Sequence, residues 1–187
     1  MVKKLIKKLA YLPELLRKYK VLRSHGLVDD RVSARELEQY LYTCQAIGRH
    51  RGFLRSLREG MCVDAAGEPI PWYTYPAIEQ LDKWDFSDCD VFEWGCGNST
   101  RWWARRARSV VSVESSPEWH DKILASKVLP DNVRPILTRT DEGDQPAALN
   151  RYVRTLDSCG NFDVIVIDGE VCNRARYACA QLALSHL

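Results

Sequence analysis

The apolar positions of this chain change period along its length. Over residues 3–22, Leu5, Ile6, Leu9, Leu12, Leu16 and Tyr19 fall on one helical face, with Lys3, Lys4, Lys7 and Lys8 opposite. Ser33-Ala-Arg-Glu36 is a capping box, and Leu37, Tyr40, Leu41, Cys44 and Ile47 follow at helical spacing. From residue 90 the pattern shortens to runs of strand length, at 90–94, 109–114, 133–138 and 162–168. Between these runs lie helical stripes: Trp103, Ala104 and Ala107, then Trp119, Ile123 and Leu124, then Leu149, Tyr152, Val153 and Leu156. A last helix over 173–187 turns Ala175, Ala178, Leu182 and Ala183 inward. Strands that alternate with helices predict an α/β fold, a doubly wound and mostly parallel sheet over 67–187 behind an N-terminal helical extension over 1–66.

Local breakers sharpen the pattern. Ser116-Pro117-Glu118 and Pro146 open helices, and Gly160-Asn161 closes one. Phe162-Asp-Val-Ile-Val-Ile-Asp168 is nearly continuous apolar sequence, as a parallel strand buried on both faces requires. Pro135 cannot donate to a sheet ladder, so its strand belongs at an edge. Residues 67–77 hold three prolines and a cluster of aromatics, which predicts an ordered loop, followed by a short helix carrying Ile78, Leu81 and Trp84. Trp72, Tyr73 and Tyr75 in that loop either form a lid over a ligand or pack N-terminal helices on the core; both readings stand on sequence.

Charge and cysteine content narrow the setting. The net charge of +2 hides an asymmetry: residues 1–60 carry 14 Lys/Arg against 6 Asp/Glu, and residues 61–187 carry 13 against 19. The basic segment 3–22 is suited to peripheral contact with an anionic membrane surface, although such faces also simply solvate their lysines. Arg49, His50, Arg51, Arg55 and Arg58 lack the interleaved aromatics of a nucleic-acid site and read as a solvated helix face, so no nucleic-acid partner is expected. The seven cysteines are scattered without a Cys-x-x-Cys pair, which predicts reduced thiols and no metal. With no apolar run of spanning length and no signal-peptide core, a cytoplasmic chain is expected, associated with a membrane only if residues 3–22 act that way.

The candidate chemistry lies at Glu93-Trp94-Gly95-Cys96-Gly97-Asn98-Ser99-Thr100, between the first strand and its helix. Glycines at such a turn let backbone approach a ligand, and Ser99 or Thr100 can cap the helix. A dinucleotide fingerprint would place a third glycine at position 100 and an apolar residue at 93, which here are Thr and Glu. An acidic residue followed by x-Gly-x-Gly, with Glu114 closing the next strand, resembles motif I and its sequel in class I S-adenosylmethionine-dependent methyltransferases, a Rossmann-like family.

The resemblance covers roughly residues 70–187 and implies S-adenosyl-L-methionine as cofactor; a small-molecule acceptor is expected, a hydroxyl compound among the candidates. By position it assigns Glu93 and the backbone of Gly95, Cys96 and Gly97 to the methionine end of the cofactor, with Asn98 and Ser99 also cofactor-binding. Glu114 is assigned to the ribose hydroxyls and Asp141 to the adenine. Asp168 and Glu170, at the end of the fourth strand, become candidates for the catalytic base. The family's sheet order, 3-2-1-4-5-7-6, puts the third strand at an edge, in keeping with Pro135. Only its first four strands are present, so the fourth is expected to have an open apolar edge unless a partner or a second copy completes the sheet, or the chain is a fragment. Two other readings stay open: a non-catalytic methyltransferase-like half-domain acting through a partner, and a dinucleotide-dependent oxidoreductase.

Overall fold

The computed structural model describes residues 13, 16–26, 31–125, 129–140, 146–169 and 173–187. The chain divides into two units, Met1–His50 and Arg51–Leu187. In the first, residues 16–24 are helical and are followed by α1, Ala34–His50. The capping box at its start is formed: the Glu36 carboxylate accepts the Ser33 amide at 2.8 Å, and the Glu36 amide donates to Ser33 Oγ at 3.3 Å. Leu37 is buried, whereas Tyr40, Cys44 and Ile47 on the same stripe are exposed. Among the described residues, no helix is long and apolar enough to cross a membrane.

The second unit begins with α2, Phe53–Glu59, set off at both ends by glycines in the left-handed region, Gly52 at φ +82° and Gly60 at φ +60°. Its Ser56 is buried, with its hydroxyl between the carbonyls of Gly52 and Val63. A strap over 60–72 follows, doubled back by a Val63–Pro69 antiparallel bridge. Its turn is fixed by Asp64, whose Oδ1 accepts the amides of Gly67 and Glu68 at 2.8 Å each.

Helix α3, Tyr75–Leu81, leads to β1, Asp90–Trp94, and then α4, Asn98–Ala104, and β2, Ser109–Glu114. Next come α5, Pro117–Ala125, β3, Val133–Leu137, and α6, Pro146–Arg154, which ends in a 3-10 turn, Thr155–Ser158. The last elements are β4, Val164–Ile167, and α7, Asn173–Ala183. The four strands form one parallel sheet in the order β3-β2-β1-β4. Helices flank it, as the alternating pattern predicts. Pro135 sits in β3 at the edge, where its missing N–H breaks no ladder.

The two central strands separate two apolar layers. Phe92, Trp94, Val111 and Val113 meet Tyr152, Leu156, Ala175 and Cys179 on one face. Val91 and Val110 meet Ile78, Phe86, Trp102, Trp103 and Ala104 on the other. β4 is half-buried along its length rather than buried on both faces, since β1 is its one strand neighbour among the described residues.

Several side chains differ from the pattern reading. Leu124 is 46% exposed, so the inward face of α5 is carried by Ile123, at 1%, and by Trp119. The His120 side chain on α5 is only 13% exposed. The helix expected around Ile78 starts earlier, at Tyr75, and ends before Trp84, which is exposed. The arginines around α4 are held by named partners. Arg106 stacks over the Trp102 ring at 3.9 Å while bonding Asp82, Arg105 pairs with Glu68 at 2.6 Å, and Arg108 pairs with Asp90.

Candidate functional site

A cavity of about 620 Å³ opens where β1, β2 and β4 end, the crevice in which open parallel sheets bind ligands. Its floor is the glycine turn, Gly95 to Ser99, and one wall is Glu114, Ser115, Ser116 and Trp119. Asp168 and Arg176 form a second wall, and the strap contributes Gly60, Met61, Cys62, Ile70 and Trp72.

The turn is shaped by one glycine more than the other. Gly95 has φ +106°, and a Cβ there would come within 2.8 Å of the Gly169 amide nitrogen, so this position needs glycine twice over. Gly97 is extended, at φ −176°, and the nearest atom to a Cβ would be Ser99 Oγ at 3.8 Å. Folding places no steric demand on Gly97; a side chain there would intrude on the cavity it lines.

The amides of the turn are already engaged. Gly95 N–H donates to the Val113 carbonyl at 2.8 Å, Cys96 N–H to Glu114 Oε2 at 3.1 Å, and Gly97 N–H to Thr100 Oγ1 at 2.9 Å. Glu114 Oε1 accepts the amides of Ser115 and Ser116 at 2.8 Å each. A carboxylate oxygen has two acceptor positions, so Oε2 keeps one for a ligand hydroxyl. The carboxylate is therefore held in place by three backbone donors before any ligand arrives.

The strap is tied down over this floor. Asn98 Nδ2 donates to the Cys62 carbonyl at 2.6 Å, and its Oδ1 accepts Arg101 at 3.2 Å. Lys122 lies over the Trp119 ring at 4.4 Å and reaches the Gly60 carbonyl at 3.4 Å. Trp119 Nε1 donates to the Cys96 carbonyl at 2.5 Å, which joins α5 to the turn. Ser99 is buried and lines the cavity.

Glu93 lies elsewhere. It is fully buried and is not among the cavity-lining residues; its Oε2 accepts the hydroxyls of Thr100 at 2.6 Å and Ser112 at 3.0 Å. Burial pushes its carboxyl up to about 7, against the pull of the Ser99, Thr100 and Ser112 side chains and with a further push from Asp168. The Cys96 thiol, beside Thr100, is raised to about 11 by burial and by Glu93. Neither group is placed to meet a ligand as a free anion.

Asp168 is half-buried, and its carboxyl is raised by burial against the pull of Arg176. Trp72, 57% exposed, lines the cavity, whereas Tyr73 and Tyr75 pack against the layer containing Trp103, whose Nε1 donates to Tyr73 Oη at 3.3 Å. Asp141 and Glu170 lie outside the described residues. The pattern reading missed Arg176, Trp119 and the strap residues Met61, Cys62 and Ile70. Of these only Trp119 carries a signal, as an aromatic just past the carboxylate that ends β2.

No family model and no curated protein matches the chain. Among solved structures, the chain is similar to a methyltransferase-like protein from Silicibacter pomeroyi, with 21% identity over 64% of this chain and 69% of the other, at a TM-score of 0.46.

Proposed function

We propose that the unit Arg51–Leu187 is a class I S-adenosylmethionine-dependent methyltransferase domain acting on a small molecule. The observation that carries this reading is the Glu114 carboxylate, which lines the cavity beside the glycine turn and keeps an acceptor position on Oε2. That arrangement suits a ribose hydroxyl.

The residues fit this cofactor better than a dinucleotide. A pyrophosphate is cradled by free amides at a glycine turn, and the amides of Gly95, Cys96 and Gly97 all have internal partners. A sulfonium cofactor carries no phosphate and asks the turn only for room, which Gly97 supplies. The cavity's charged lining is Glu114, Asp168 and Arg176, and its two carboxylates are of the sign that suits a cationic cofactor.

In this reading Glu114, Gly97, Asn98 and Ser99 bind and orient the cofactor. Glu93 acts from behind: it holds Thr100, which holds the Gly97 amide. Bound S-adenosylmethionine supplies an electrophilic methyl group, and the protein's main task is to keep donor and acceptor aligned at about 3–3.5 Å. Asp168, with its carboxyl raised by burial, is positioned to take a proton from an acceptor hydroxyl. Asp141 remains the proposed adenine contact and Glu170 a second proposed base.

Quenching of Trp119 and Trp72 fluorescence tests the choice of cofactor. S-adenosylhomocysteine should quench saturably and NADH should not; the reverse order would favour an oxidoreductase.

A further inference from the structure

The cavity lining beyond the residues given to the cofactor has its own chemistry. Trp72 stands 57% exposed although it lines the cavity, with apolar Met61 and Ile70 from the same strap. An exposed indole at a cavity wall is a stacking surface for a flat ring. Across the turn, Arg176 on α7 donates from Nε to the Gly169 carbonyl at 3.1 Å and from a terminal nitrogen to the Asp168 carbonyl at 3.5 Å. These two bonds hold a solvent-exposed guanidinium at the cavity beside the proposed base, with further N–H donors on the fork that bond no other described residue. A preorganised planar fork is the group that reads a carboxylate in two parallel bonds.

We infer, resting on the methyltransferase reading, that the methyl acceptor is a planar hydroxyl compound bearing a carboxylate, its ring laid on Trp72 and its carboxylate on Arg176. The cavity, at about 620 Å³, falls within the roughly 300–1,000 Å³ that houses one drug-sized ligand, so an acceptor that shares it with a nucleoside cofactor is small.

The test uses the full chain saturated with S-adenosylhomocysteine, titrated calorimetrically with 4-hydroxybenzoate and with phenol. The wild type should bind 4-hydroxybenzoate at least about 10-fold more tightly than phenol, the scale of a charge-assisted pair. Arg176→Gln should remove that preference, Arg176→Lys should keep part of it, and Trp72→Ala should weaken both ligands alike. S-adenosylhomocysteine affinity should be unchanged in Arg176→Gln, with the melting temperature as control for folding. Equal binding of the two phenols by wild type overturns the inference, as does a loss of S-adenosylhomocysteine affinity in Arg176→Gln, which would give the guanidinium to the carboxylate of the cofactor. If wild type fails to bind S-adenosylhomocysteine, the methyltransferase reading itself falls.

Discussion

Glu114 Oε2 accepts the amide of Cys96 at 3.1 Å, so the carboxylate that ends β2 is bonded to the turn that ends β1. Two elements 18 residues apart in sequence share one anchor at the cavity floor. Glu114→Gln must place an NH₂ group against either the Cys96 amide or the Ser115 and Ser116 amides. One buried donor set then loses its acceptor, which should cost about 1–3 kcal/mol in chemical denaturation.

Gly95 and Gly97 should separate stability from binding. Gly95→Ala forces a left-handed φ on alanine and a clash with Gly169, so a loss of about 2–4 kcal/mol is expected in urea unfolding. Gly97→Ala should unfold within about 1 kcal/mol of wild type, since its backbone is extended and the added methyl meets nothing closer than 3.8 Å. Its affinity for S-adenosylhomocysteine should nonetheless fall. Equal binding by Gly97→Ala and wild type would remove the cofactor from this part of the cavity.

Glu93 makes stability depend on pH in a known direction. Its folded carboxyl titrates near 7, above the ordinary glutamate value of 4.5, so between these values the folded chain holds a proton that the unfolded chain has lost. The contribution is full below about pH 4.5 and is lost as pH rises through about 7. Glu93→Gln keeps an acceptor for Thr100 and Ser112 without the charge. It should therefore be more stable than wild type at pH 8, by an amount on the order of 2–3 kcal/mol, and should flatten this part of the pH profile. A wild-type profile that rises from pH 5 to 8 with no change in the variant would contradict the burial assigned to this carboxyl.

Asn98 ties the strap to the turn through the Cys62 carbonyl. Asn98→Ala should loosen the strap at a cost of about 1 kcal/mol. Hydrogen exchange should accelerate at the amides of Asp64 and Ile70, which bond across the strap's own turn, and leave β1 and β2 protected.

Much of the sheet was legible because apolar runs in a parallel sheet are nearly continuous, and Pro135 named the edge strand by chemistry alone. The glycine turn and the Glu114 strand end were legible from spacing. Glu93 was harder: its identity suggested a ligand contact, yet in the parallel register it lies beside Ser112, and Thr100 reaches it from α4. The Ser112 hydroxyl among the valines of β2 was the available clue that this carboxylate is served from within. Arg176 left no such trace, because its position depends on where α7 crosses the end of β4. Trp72, Tyr73 and Tyr75 look alike in sequence and divide by which side of the strap-to-α3 segment each leaves from.

Calorimetric titration with S-adenosylmethionine, on wild type and on Glu114→Ala, is the most direct test of the cavity. Saturable one-to-one binding by wild type, lost or greatly weakened in Glu114→Ala with the fold retained, is the expected result. Absence of binding by a folded wild-type chain, or equal binding by both proteins, would contradict the role given to Glu114 and to the cavity it lines.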